Sequence, residues 1–110
     1  MTTGADDASS ALFWDLLAEL QGADDRVHEG TIMGGGCARV SGEFLAMPNF
    51  RGPGLVVKLP AERVNELIEV GVGAPFAPAG KVFREWVLVE SLDEARWREL
   101  LLEGIAFVAP

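Results

Sequence analysis

The chain has one cysteine, one histidine and no tyrosine in 110 residues. A single Cys37 excludes an internal disulfide framework. One Cys and one His also fall short of the four ligands of a structural zinc site. Asp24, Asp25 and Glu29 are close in sequence but lack the spacing of an EF-hand loop, so a solvated acidic loop is expected and no metal. No apolar run approaches the roughly 20 residues of a membrane-spanning helix. The Gly34-Gly35-Gly36 run lacks the Gly-Lys-Ser/Thr of a phosphate loop and the spacing of a dinucleotide fingerprint, so it reads as a tight turn or bulge. No cofactor is expected.

Positive charge is also scarce. Nine Lys and Arg face seventeen Asp and Glu, for a net charge of −8. Such a chain does not attract phosphate backbones through its overall field, which argues against nucleic acid as a partner. The acidity is concentrated toward the two ends; residues 31–90 hold six acids and six bases. Arg39, Arg51, Lys58, Lys81 and Arg84 can form a local basic patch, although a solvated sheet face is the plainer expectation. The first ten residues, MTTGADDASS, are acidic and polar, unlike a secretory or mitochondrial leader, which favours a cytoplasmic location.

What the chain does have is enough apolar side chain for one core: 49% hydrophobic and 24% charged residues predict a single folded domain over 9–110, after a disordered tail at 1–8. Ser9 or Ser10 is placed to cap a helix whose stripe is Phe13, Leu16, Leu17 and Leu20, widened by Trp14. Cys37–Val40 and Glu43–Met47 read as strands joined by a two-residue Ser41-Gly42 turn. Leu55–Leu59 alternates as a third strand. Pro60 then opens a helix with Val64, Leu67 and Ile68 inward, and Gly71 sits just past its end. A short strand near Ala74–Phe76 is expected to pair with a long strand, Val82–Val89, in which Phe83 shares a face with Val87 and Val89, and Trp86 with Leu88 and Arg84. Ser91 to Glu94 matches a capping box for a last helix, with Trp97, Leu100, Leu101 and Ile105 inward. The predicted fold is α+β: a two-layer sandwich with an antiparallel five-stranded sheet, in the order α-β-β-β-α-β-β-α.

Three segments carry a family resemblance: VVKLPAERVNELI at 56–68, APFAPAGKVFREWVLV at 74–89, and Ile32-Met33-Gly34-Gly35. In combination, over about Ala11 to Val108, the chain resembles a stand-alone, single-domain member of the TfoX N-terminal domain (TfoX/Sxy) family. The third segment looks like a variant of the family's Met-Phe-Gly-Gly element without its phenylalanine. The resemblance implies a fold like the secretion-chaperone class and supplies no catalytic residues to carry over.

Cys37 and His28, with Glu29 beside the histidine, are the only nucleophile and base of the usual kind, and an inert buried thiol is the expectation. Met47, Phe50, Phe76, Arg84 and Trp86 form the candidate interaction surface, where Trp86 can also simply stack with Arg84. The expected function is that of a small non-enzymatic interaction module, as a homodimer or with a protein partner. The alternatives are a regulator linked to transcription or competence with nucleic-acid contact, and a small-ligand binder or weak enzyme.

Overall fold

Two tight hairpins set the start of the sheet. Met33-Gly34 (φ 53° and 80°) and Ser41-Gly42 (φ 51° and 85°) each place two residues in the left-handed region. That pattern is the primed turn whose twist matches a two-residue hairpin. The computed structural model describes residues 4–110. Its elements are helix α1 Gly4–Ala23, strands β1 Val27–Ile32, β2 Gly35–Val40, β3 Glu43–Pro48 and β4 Leu55–Lys58, helix α2 Ala61–Glu69, strands β5 Ala74–Pro75 and β6 Trp86–Val89, and helix α3 Glu94–Val108. The fold is α+β with an antiparallel open sheet ordered β1-β2-β3-β4-β6-β5.

The sheet therefore has six strands, not five, and the order becomes α-β-β-β-β-α-β-β-α. The additional strand is β1, the first arm of the Met33-Gly34 hairpin, so the glycine run forms a turn and the beginning of β2. The expected long strand is also shorter. Val82–Glu85 lie outside β6, because the Trp86 amide bonds the Phe83 carbonyl at 3.1 Å and closes a turn. Phe83 consequently joins the Trp86 side of the sheet instead of the Val87 side.

The helix boundaries shift for local reasons. Residues 1–3 of the expected tail lie outside the described residues, and from Gly4 the chain is already helical. Ser9 is thus inside α1, where its buried Oγ accepts the Gly54 amide at 2.8 Å instead of capping. Pro60 takes the cap position of α2 itself. The cap of α3 is Asp93, whose carboxylate accepts from the Arg96 amide, while the Ser91 carbonyl accepts the Trp97 indole N–H at 2.9 Å. Burying that indole with its donor satisfied fixes the helix start two residues later than the serine. The end of α2 is as expected: Gly71 (φ 82°) donates to the Ile68 carbonyl, and Val72 to that of Leu67. These two bonds satisfy carbonyls that the helix leaves open.

All three helices pack into one core with one face of the sheet. Phe13, Leu16, Leu17 and Leu20 of α1, Val64 and Leu67 of α2, and Trp97, Leu100, Leu101 and Ile105 of α3 meet Val40, Leu45, Leu55, Val57, Val87 and Val89. Two bidentate ion pairs lace the helices together. Arg98 of α3 donates to Glu19 of α1 at 2.7 and 3.0 Å, and Arg63 of α2 donates to Glu103 of α3 at 2.9 and 3.1 Å. A Cβ on Gly104 would lie 2.8 Å from Leu45 Cδ1 and 3.0 Å from the Lys58 carbonyl oxygen, so this glycine lets α3 approach β3 and β4 closely.

Two predictions follow from this packing. Gly104→Ala gains up to about 1 kcal/mol of helix propensity yet lowers the denaturation midpoint, because the methyl group meets backbone; Gly22→Ala, in open space, raises it. Hydrogen bonds from Arg26 hold the Asp24 carboxyl down from its ordinary 3.8 to about 2. Its contribution to stability is complete above pH 3.8 and is lost as pH falls toward 2. Asp24→Asn should therefore lower the thermal-unfolding midpoint slightly at neutral pH, flatten the acid limb between pH 3.8 and 2, and converge with the wild type near pH 2.

Candidate functional site

The helices leave the other face of the sheet to a second, smaller cluster. Its buried members are Cys37, Phe44, Met47, Val56 and Phe76, with Ile32, Phe83, Trp86 and Leu88 partly buried against them. Strand pairing puts them together: Met47 lies opposite Val56, Val56 opposite Leu88, and Lys58 opposite Trp86. Directly opposed residues in an antiparallel pair share a face.

A bulge sorts β3 between the two clusters. Phe44 pairs with Arg39, but Ala46 pairs with Ala38, so Leu45 is the extra residue. Leu45 and Ala46 both enter the helix-side core, while Phe44 and Met47 on either side join the second cluster. Such a two-against-one step breaks strict alternation and bends the strand.

The loop between β5 and β6 covers part of this face. Gly80 (φ 81°) donates to the Ala77 carbonyl at 3.3 Å across a turn with Pro78 inside it, and Phe83 donates to the Phe76 carbonyl at 3.0 Å. Phe76 and Phe83 are thereby folded back onto Trp86. The Trp86 ring stacks on Phe44 (centroids 4.1 Å apart, 15° between planes) and on Phe76 (5.5 Å, 21°). Phe83 tilts against the same indole at 4.9 Å. Phe50, in the β3–β4 loop, meets Phe76 edge-on at 6.2 Å and remains 52% exposed.

The five residues expected to form a contact surface occupy two levels. Met47 and Phe76, 3% and 4% exposed, are packing rather than surface. Trp86 is half-buried, and Phe50 and Arg84 are exposed. The expected stacking of Arg84 on Trp86 is replaced by the phenylalanine pair, and the cation that covers an aromatic ring is Arg51, 5.3 Å from the centre of Phe50. Phe44 and Phe83 belong to the cluster but were not among the expected residues. At Phe44 the available signal was its cross-strand neighbour, hidden by the bulge.

Beside the cluster, between α2 and the turn before β6, runs a groove of about 440 Å3 lined by Val64, Ile68, Val82, Phe83, Arg84 and Trp86. Val82 is 55% exposed at its lip.

Cys37 and His28 do not assemble into a nucleophilic pair. The His28 ring is 3.1 Å from the Arg26 carbonyl oxygen, and Cys37 is fully buried opposite Gly30. Burial pushes the Cys37 thiol up, with the nearby Arg39 guanidinium opposing the rise. Arg39 itself crosses β1 over Gly30, where a Cβ would stand 2.6 Å from its Cδ and Nε. Its guanidinium donates to the Thr31 carbonyl at 3.0 Å and to that of Gly42 at 3.1 Å. Among the described residues no group of three or more His, Cys, Asp and Glu is placed to hold a metal ion, and no helix is long and apolar enough to cross a membrane.

A thiol so placed should resist a maleimide at neutral pH in the native protein and react fully once denaturant is added. Rapid labelling of the native state would show that Cys37 is reachable and would reopen its chemistry. No protein-family model, curated protein or solved structure matches the chain.

Proposed function

We propose that this chain is a small, non-enzymatic protein-interaction module and that contact is made on the sheet face opposite the helices. One observation carries the proposal: three helices cover one face, whereas among the described residues the other is covered only by its own loop and keeps Ile32, Phe83, Trp86 and Leu88 partly exposed. Exposed Phe50 and Val82 extend that apolar area at two margins. Interfaces characteristically place aromatic residues and arginine at their centres. The stranded Cys37 and separated His28 leave a catalytic reading without a working pair. The proposal also takes the chain as a relative of TfoX N-terminal domains, with a secretion-chaperone-like fold and a cytoplasmic location, on the strength of segments 56–68 and 74–89.

A photo-reactive amino acid at Val82 should give discrete covalent adducts in living cells, while the same group at Leu102, exposed on the outer side of α3, should not. An adduct of twice the chain mass would identify a second copy, and any other mass a different partner. Equal labelling at both positions, or none at Val82, would remove this face as the contact.

A further inference from the structure

The cations are divided by face. Four of the nine Lys and Arg reach a carboxylate: Arg26 on Asp24 (2.8 Å), Arg63 on Glu103 (2.9 Å), Arg96 on Glu99 (3.5 Å) and Arg98 on Glu19 (2.7 Å). Three of these four are on α2 and α3. Arg39, Arg51, Lys58, Lys81 and Arg84 have no ion-pair partner among the described residues.

These five lie around the aromatic cluster. Arg39 is opposite Phe44, and Lys58 is opposite Trp86. Arg51 lies over Phe50, Arg84 lines the groove with Phe83 and Trp86, and Lys81 is in the loop that folds Phe76 and Phe83 onto the sheet. Glu85 and Glu90 lie beside Arg84 and Arg51 respectively, and neither forms an ion pair with them. A chain of net charge −8 thus carries one surface with an excess of uncompensated positive charge around apolar and aromatic side chains.

Two occupants fit this surface poorly. A second copy docked by a two-fold axis would set the same patch against itself, cations facing cations. A single-stranded nucleic acid needs open ring faces for its bases, but the Trp86 indole is already engaged by Phe44 and Phe76, and Phe50 lies under Arg51. An acidic protein segment fits both features. Its carboxylates would meet cations that lack partners, and its apolar side chains would enter the groove between α2 and the Val82–Trp86 turn. The overall negative charge does not forbid this approach, because at physiological salt charges beyond about 8 Å are largely screened.

We infer that the partner of this face is an acidic, amphipathic segment of another protein, seated in the groove against Val82, Phe83 and Trp86 with its carboxylates toward Lys58, Lys81 and Arg84. The inference rests on the interaction role proposed above and adds the chemistry of the partner.

The test is selection of a displayed random peptide library on the wild-type chain, with counter-selection on Lys58→Glu/Arg84→Glu. Neither residue forms an ion pair, so the double variant should keep its fold, as circular dichroism and a thermal melt would verify. Survivors should be rich in Asp and Glu with apolar residues at helical spacing, and a synthesised survivor should bind the wild type at least about ten-fold more tightly than the double variant. Neutral or basic survivors that bind wild type and variant alike would overturn the acidic chemistry and leave the interaction face standing. A labelled oligothymidylate that binds wild type more tightly than any survivor, and loses binding in the variant, would assign the face to nucleic acid instead. A library with no enrichment would remove the interaction role along with the inference.

Discussion

One extra residue in β3 governs how the rest of the sheet is used. Phe44-Leu45-Ala46-Met47 is continuously apolar, and strict alternation would send its members to alternate faces. The bulge opposite Ala38 and Arg39 sends Leu45 and Ala46 together to the helices and leaves Phe44 and Met47 for the other side. Leu45 then fills the space beneath Gly104 of α3, while Phe44 supplies the ring on which Trp86 stacks. The helix-side core and the aromatic cluster thus depend on the same backbone irregularity. A shift of register by one residue would exchange their contents.

Much of the helical layer was legible because its signals are local. The stripes at Phe13, Leu16, Leu17, Leu20 and at Trp97, Leu100, Leu101, Ile105 repeat at helical spacing and are buried as expected. Gly71 and the Ser41-Gly42 turn are equally local, because positive φ favours glycine in the one and a primed hairpin in the other. What could not be read depends on neighbours distant in sequence. Strand β1, VHEGTI, has only Val27 and Ile32 as large apolar residues, and they face opposite sides, so no alternation appears. Val82 and Phe83 look like the start of a strand, yet the Phe83–Trp86 turn removes them from it. The candidate surface was legible as a group of residues and not as a surface: Met47, Phe76 and Trp86 do meet, but two of the three are buried.

Charge shows the same contrast between composition and placement. A net charge of −8 describes the whole chain, but each Arg on α2 and α3 is held by a carboxylate, in two cases on a different helix. The Arg98–Glu19 and Arg63–Glu103 partners are 79 and 40 residues apart in sequence. Pairing at that range leaves the unpaired cations on the sheet side, a partition that no count of residues reveals.

Both ends of the sheet carry a feature that discourages further strands. At one end, β5 is two residues long and includes Pro75, which has no amide hydrogen to offer. At the other, the alternating hydrogen bonds of the β1–β2 hairpin turn the Thr31 carbonyl toward open solvent. There Arg39 reaches it by passing over a residue with no side chain, Gly30. The guanidinium serves as a lid on a backbone acceptor that an incoming strand would need. Loss of that lid would leave the acceptor open. It would give the sheet a sticky end, and the protein's encounters with its own copies would shift from harmless collision toward strand-by-strand growth.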